Sequence, residues 1–171
     1  LCLDVTEAVI EEASRLGFNL IVAHHPLLFR GVKCVSDRTQ VQRCIRLAVL
    51  HDIAIYAAHT NLDNARGGVN FEIAQRLGLE RLDWLAPLAG QDAGSGLIGE
   101  LPQPIAATAW LETLKKTFGV DALLYAPGPQ TEVRRIALCG GAGEFLIDRA
   151  VQLGADLFFT GEIGYHHRSE E

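Results

Sequence analysis

The sequence predicts an α/β protein made of two similar β-α-β halves with mixed sheets, and three observations predict it. Short apolar, strand-like runs alternate with amphipathic stretches of helical period along the 171 residues. Leu16-Gly17 and Leu153-Gly154 each stop a helix just ahead of a strand, because glycine takes the left-handed conformation usual past a helix end. Finally, Arg15-Leu-Gly-Phe-Asn-Leu-Ile-Val lines up with Gln152-Leu-Gly-Ala-Asp-Leu-Phe-Phe, the match an internal duplication would leave. Right-handed crossovers would then bring both strand ends to one edge. The expected division is residues 1–100 for the first half and 101–171 for the second.

Leu1-Cys2-Leu3 reads as the end of a strand, and Thr6 is placed to cap a helix with Val9, Ile10 and Ala13 on its apolar side. A strand over 18–23 follows. Residues 39–50 form a helix whose buried stripe is Val41, Cys44, Ile45 and Ala48; His51-Asp52 breaks it, and a strand over 53–58 comes next. A turn at 64–68 leads into a helix over 69–77, stopped by Gly78. Residues 84–104 are rich in Gly, Pro and Ala and alternate around Leu97-Ile98-Gly99-Glu100-Leu101, which suggests an edge strand with turns. A helix over 104–118 ends at Gly119, and a short strand is expected at 122–125. The second half then runs strand 135–139, turn Gly140-Gly141-Ala142-Gly143, helix 144–152 and strand 156–160.

With 49% hydrophobic and 21% charged residues the chain is an ordinary globular one, long enough to bury a core. Its net charge of -6 argues against nucleic acid as the main partner, since neutralising phosphates needs a basic face. Arg30, Lys33, Arg38, Arg43 and Arg46 make a local basic run, read as a solvated helix face and loop or as an attractor for a phosphorylated small substrate. Cys2, Cys34, Cys44 and Cys139 show neither a C-x-x-C pair nor regular spacing, so a reducing cytoplasm is the expected home. No apolar run approaches the roughly 20 residues that span a bilayer, and no signal peptide is visible, so no membrane partner is expected. The chain opens on Leu1, as if already inside a strand, which points to trimmed ends.

Chemistry concentrates where strands end. Leu20-Ile-Val-Ala runs into His24-His25-Pro26, Ile53-Ala-Ile-Tyr-Ala-Ala into His59-Thr-Asn-Leu-Asp63, and Leu157-Phe-Phe-Thr-Gly into Glu162, followed by His166-His167-Arg-Ser-Glu170. Neighbouring strand side chains point to opposite faces, so His24 and His25 can serve one site only if the strand has ended, a change of direction that Pro26 supplies. The lesser alternative for the pair is one histidine hydrogen-bonded in the core and one exposed. In His59-x-x-x-Asp63 the spacing brings imidazole and carboxylate together within a turn. Asp63 could instead cap the next helix near Gly67-Gly68, and His59 could bond to backbone. His166-x-x-x-Glu170 repeats the spacing, though an exposed polar tail would look the same.

Zn²⁺, Mn²⁺ and Fe²⁺ accept imidazole and carboxylate together, whereas Mg²⁺ and Ca²⁺ prefer oxygen. The candidate ligands exceed what one tetrahedral site uses, so two divalent ions per subunit are expected. An ion pair roughly 3.5 to 4 Å apart, bridged by a carboxylate and a water, makes that water a nucleophile for hydrolysis. Gly140-Gly-Ala-Gly143 lies between a strand and a helix as phosphate cradles do, but lacks the lysine and spacing of a P-loop. Tight chain reversal is its favoured role, with a substrate phosphate as the alternative.

His24-His25-Pro26-Leu-Leu-Phe29 with Gly31, Ala58-His59-Thr-Asn-Leu-Asp63 with Gly67-Gly68-x-Asn70, Ala137-Leu-Cys-Gly-Gly-Ala-Gly143, and Thr160-Gly-Glu162 with Tyr165-His166 stand in this order over nearly the whole chain. Together they resemble the NIF-three-like family, whose members are often labelled GTP cyclohydrolase I type 2 homologues. The resemblance implies an α/β fold of two similar halves, a dinuclear metal centre in the cleft between them, and a ring-shaped homo-oligomer, commonly a hexamer. It implies His24, His25, Asp63, His166 and Glu170 as metal ligands, with Glu170 touching both ions, and His59 close by as a supporting group or substrate contact. The chain departs from the family pattern in lacking its opening segment and inserted middle domain, as a short form would. The helix and strand usually found between its Tyr-His and final His…Glu elements are also fused here into residues 165–170.

Two functions follow from these readings. The first is a metal-dependent hydrolase acting on a nucleotide or another phosphorylated small molecule, with His59 or His167 moving protons. The second is a non-catalytic metal-binding or regulatory scaffold.

Overall fold

The computed structural model describes residues 1–164. The chain forms two compact units, Leu1–Leu62 and Asp63–Glu171.

In the first unit, α1 (Glu7–Arg15) starts where Thr6 Oγ1 accepts a hydrogen bond from the Val9 amide at 3.3 Å. Glu7 in its first turn and Arg15 in its last suit the helix dipole. Two strands, β1 (Leu20–Ala23) and β2 (Ala54–Ala57), pair in parallel with Leu20 opposite Ala54 and Ala23 opposite Ala57. Cys2 adds a parallel bridge to Ala23, so a short β-α-β unit closes around α1. The intervening α2 (Gln40–Leu50) is capped by Thr39, whose Oγ1 accepts from the Gln42 amide. Ile10, Ala13, Ile21, Ala23, Cys44 and Ala48 form the core of this unit.

The second unit is a mixed four-stranded sheet in the order β3 (Glu80–Pro87), β4 (Gly94–Ala106), β5 (Glu132–Ala142), β6 (Leu157–Glu162). The first two pairings are antiparallel and β5–β6 is parallel. Alternation along the strands buries both faces. Trp84, Leu97, Ile136 and Leu138 pack with Ala74 of α4 (Val69–Arg76) and with Trp110 and Leu114 of α5 (Ala107–Phe118). Their neighbours Leu85, Ile98, Ala137 and Cys139 pack with Leu146, in a 3-10 turn over Glu144–Leu146, and with Ala150 of α6 (Ile147–Gln152). Glu100 and Leu101, where the sequence suggests dividing the halves, both lie in β4.

One device starts four strands. After α1, α2, α4 and α6 the chain reads Ala-x-x-Leu-Gly or, once, Ala48-Val-Leu-His-Asp52, with Gly17, Asp52, Gly78 and Gly154 at φ values between 52° and 75°. In each case the residue after the left-handed position donates its amide to the alanine carbonyl: Phe18 to Ala13, Ile53 to Ala48, Leu79 to Ala74 and Ala155 to Ala150, at 2.9 to 3.0 Å. This is the Schellman exit from a helix. The four alanines are buried, so each helix end is anchored in a core before the chain turns into its strand.

Three sequence expectations change. Of residues 84–104, where an edge strand with turns is expected, 84–87 end the edge strand β3, whereas 94–104 belong to the inner strand β4, between β3 and β5. Its glycines are there for close packing: a Cβ at Gly94 would stand 2.8 Å from Trp84, one at Gly96 2.7 Å from the Leu138 carbonyl, and one at Gly99 2.7 Å from Leu82. Residues 104–106 belong to that strand, so α5 begins at Ala107. Residues 122–125 are irregular rather than a strand, because no partner strand receives them among the described residues. No described helix is long and apolar enough to cross a membrane.

Candidate metal centre

Strand β1 stops at Ala23, and the chain bends at His24 and His25 before Pro26. Their backbone amides stay tied to the opening segment, His24 to the Cys2 carbonyl at 3.1 Å and His25 to the Leu3 carbonyl at 2.9 Å. With the pleat ended, both rings reach the same side and stand 4.9 Å apart, inclined at 53°. The Ala58 amide donates to the Ala23 carbonyl at 2.7 Å, which locks the end of β2 beside the end of β1. His59 follows directly, so its ring lies 5.3 Å from that of His24 and 5.8 Å from that of His25.

Each of the first two imidazoles is oriented through Nδ1. That atom of His24 lies 2.8 Å from the Ala58 carbonyl oxygen, and that of His25 lies 2.8 Å from Asp4 Oδ1. Carbonyl and carboxylate oxygens only accept, so these partners place a proton on Nδ1, and in the neutral ring that metal ligation requires Nε2 then carries the lone pair. This is the outer bonding seen around metal-ligating histidines. His24, His25 and His59 each offer a nitrogen, and the three lie within 4.8 Å of one another. Nitrogens bound about 2.0–2.1 Å from one ion stand at most about 4.2 Å apart, so the rings would close in by a few tenths of an ångström or more to share an ion. His24 and His59 are half-buried and His25 is exposed, so solvent reaches the cluster. Three imidazole nitrogens suit a borderline cation such as Zn²⁺, Mn²⁺ or Fe²⁺.

Asp63 ends the short helix α3 (Thr60–Asp63) and belongs to the second unit. There its carbonyl accepts a hydrogen bond from the Asn70 carboxamide at 2.9 Å. It is not the cap of α4, whose N-cap is Gly68 and which has no side-chain capping hydrogen bond among the described residues. Burial raises the Cys139 thiol to about 11, with the negative charge of Asp63 adding to the effect. His166, His167 and Glu170, expected as two ligands and a proton carrier, lie outside the described residues.

Sequence reasoning missed Asp4, which has no spacing motif linking it to His25, and left Asn70 as one letter of a longer pattern. The basic run is partly spent on internal partners, Arg43 on Glu7 at 2.9 Å and Arg46 on Asp37. The Gly140–Gly143 stretch is also engaged: the Gly140 amide donates to Asn70 Oδ1 and the Gly143 amide to Thr160 Oγ1, both at 2.8 Å. A Cβ at Gly143 would come within 2.5 Å of Cys139, which explains the glycine by packing. With two of its amides occupied, the stretch has few donors left for a phosphate.

The chain is similar to a protein of Clostridium perfringens described as "GTP cyclohydrolase 1 type 2 homolog", 36% identical over 173 residues and covering 99% of this chain and 65% of that protein. A protein of Halalkalibacterium halodurans with the same description is 53% identical, covering 96% of this chain and 73% of its own. The chain spans 63% of each of two further relatives, from Lactococcus lactis and Streptococcus pneumoniae, so it matches just under two thirds of several of them. Among solved structures, a Bacillus cereus protein described as related to NIF3 superposes with a TM-score of 0.86 at 26% identity, over 97% of this chain and 72% of that one. The pattern of the Duf34/NIF3 (NGG1p interacting factor 3) family matches residues 1–171, and the chain belongs to that family.

Proposed function

We propose that this protein holds divalent metal ions at His24, His25 and His59 and uses the site for hydrolysis of a nucleotide or another phosphorylated small molecule. The observation that carries the proposal is the trio of imidazole nitrogens within 4.8 Å, two of the rings fixed through Nδ1. Bound ions there would supply Lewis acidity and a water acidified enough to act as a nucleophile. The residues themselves orient and exchange protons. The Ala58 carbonyl and Asp4 hold the His24 and His25 rings, and solvent access at His25 leaves room for substrate.

Two ions per subunit remain part of the proposal, with Asp63, His166 and Glu170 completing the ligand set. His167, or His59 where it is not engaged by an ion, would carry protons. The substrate class is supported by the description shared by the relatives, which names a cyclohydrolase homologue. A homohexamer and a cytoplasmic setting belong to the same proposal. The test is turnover by protein loaded with Mn²⁺, Zn²⁺ or Fe²⁺ against a panel of nucleotides, with Asp63→Ala as control. Turnover abolished in the control is the expected result. Turnover that survives in it would contradict the hydrolase reading, and full metal occupancy without turnover would favour a metal-organised scaffold.

A further inference from the structure

We infer that Asn70 is a positioning residue for Asp63: its carboxamide ties the Asp63 main chain to Gly140 at the end of β5 and so fixes where the Asp63 carboxylate is presented to a cation. The inference rests on the reading of Asp63 as a metal ligand. Asn70 is 1% exposed and is the one polar side chain that is buried among the described residues. A buried carboxamide is tolerated when its donors and acceptor find partners, and here both ends do. Nδ2 donates to the Asp63 carbonyl at 2.9 Å, seven residues away, and Oδ1 accepts from the Gly140 amide at 2.8 Å, seventy residues away. One side chain therefore joins the exit of α3, the first turn of α4 and the end of β5.

The residue after Asp63 is held independently. The Asn64 carbonyl accepts from the Gly94 amide at 3.0 Å, and its side-chain oxygen accepts from Ser95 Oγ at 3.2 Å. Asp63 is thus clamped from both sides, by β4 through Asn64 and by β5 through Asn70. A Cβ at Gly140 would stand in ordinary contact with Ile73, Val69 and Asn70 at 3.4 to 3.6 Å, so the end of β5 packs directly against the start of α4. A leucine could fill this buried space without polar atoms, but it would bond neither partner. The bonds made by asparagine constrain the backbone that carries the carboxylate, as partners behind a metal ligand do.

The test compares Mn²⁺ affinity, read by electron paramagnetic resonance, for the wild type, Asn70→Asp, Asp63→Asn and Ser95→Ala, all at a temperature where circular dichroism shows each folded. Asn70→Asp removes the donor to Asp63 while adding a negative charge, and is expected to weaken Mn²⁺ binding about 10- to 100-fold. Charge alone would tighten it, so the direction separates positioning from proximity. Ser95→Ala removes one bond of the Asn64 clamp and leaves the Gly94–Asn64 main-chain bond in place, so it is expected to weaken Mn²⁺ binding by only about two- to threefold, well short of Asn70→Asp. If Asn70→Asp binds Mn²⁺ as well as or better than the wild type while Asp63→Asn binds weakly, the positioning role is overturned and the metal reading stands. If Asp63→Asn binds as the wild type does, Asp63 is not a ligand and the inference falls with it. Should Asn70→Asp fail to fold, Asn70→Ser is read by the same criteria.

Discussion

The β-α-β unit around α1 and the one around α6 share a backbone plan and differ in what their last strand delivers. In both, a buried alanine, a left-handed glycine and an amide bond back to the alanine carbonyl turn the helix into a parallel strand. The first strand ends in His24-His25-Pro26, with both amides tied to the chain's opening segment and both rings turned to one side. The second ends in Thr160-Gly161-Glu162, where Thr160 Oγ1 donates to the Gly141 carbonyl and accepts from the Gly143 amide. The same turn chemistry thus sets up a cluster of imidazole rings in one unit and a closed packing joint in the other. Fold and chemistry are separable here: the helix exit sets where a strand ends, and the two or three residues beyond it decide what the end does.

The contrast is sharpest in the cores. Leu138 lies in a sheet buried on both faces, whereas Ile21 sits in a two-stranded pair. Leu138→Ala should lower stability by about 3–5 kcal/mol and Ile21→Ala by about 2–3 kcal/mol, measured by urea unfolding. Equal costs would say that the two units are packed alike.

Asp4→Asn probes the strand end. It keeps an acceptor oxygen but removes the charge that holds the His25 ring and raises its basicity, and should weaken Zn²⁺ binding about 10-fold, with a change in unfolding free energy under about 1 kcal/mol because the pair is exposed. Unchanged Zn²⁺ affinity by calorimetry would remove Asp4 from the site.

The shared helix exit predicts matched effects. At Gly17 and Gly154 an added Cβ meets nothing within 4 Å, so Gly17→Ala and Gly154→Ala should each cost about 1–2 kcal/mol from backbone strain alone. Asp52→Gly, at the one such exit without glycine, should be neutral or stabilising by up to about 1 kcal/mol. Thermal unfolding that gave Gly17 and Gly154 clearly different costs would break the equivalence.

The smallest effect belongs to Cys139. Burial first, and the Asp63 charge second, hold its thiol at about 11 against an ordinary 9.0. The folded state therefore keeps a proton that the unfolded state releases, so this contribution is complete below about pH 9 and is lost as pH rises toward about 11. Cys139→Ala should flatten the fall in stability over that window, and at neutral pH exposed Cys34 should alkylate well before Cys139.

The legible parts of the sequence were those fixed by neighbours in the chain. Thr6 and Thr39 announce their helices, and the Leu-Gly stops announce the strands that follow. The histidines stood out because they sit at those strand ends. Within 84–104, Gly94, Gly96 and Gly99 look like turn residues, whereas they answer to Trp84, Leu138 and Leu82 on other strands. Residues 122–125, Ala-Leu-Leu-Tyr, are an apolar run, but a strand also needs a partner. Asp4–His25 and Asn70–Gly140 are separated by 21 and 70 positions, and only the tertiary fold joins them.

The most direct measurement is elemental analysis of the protein purified without chelators, beside His24→Ala and His25→Ala variants shown to be folded. The account predicts roughly two equivalents of a borderline divalent metal per chain in the wild type and a clear loss in both variants. A wild type free of metal that also fails to bind added Zn²⁺ or Mn²⁺, or variants that keep full occupancy, would contradict it.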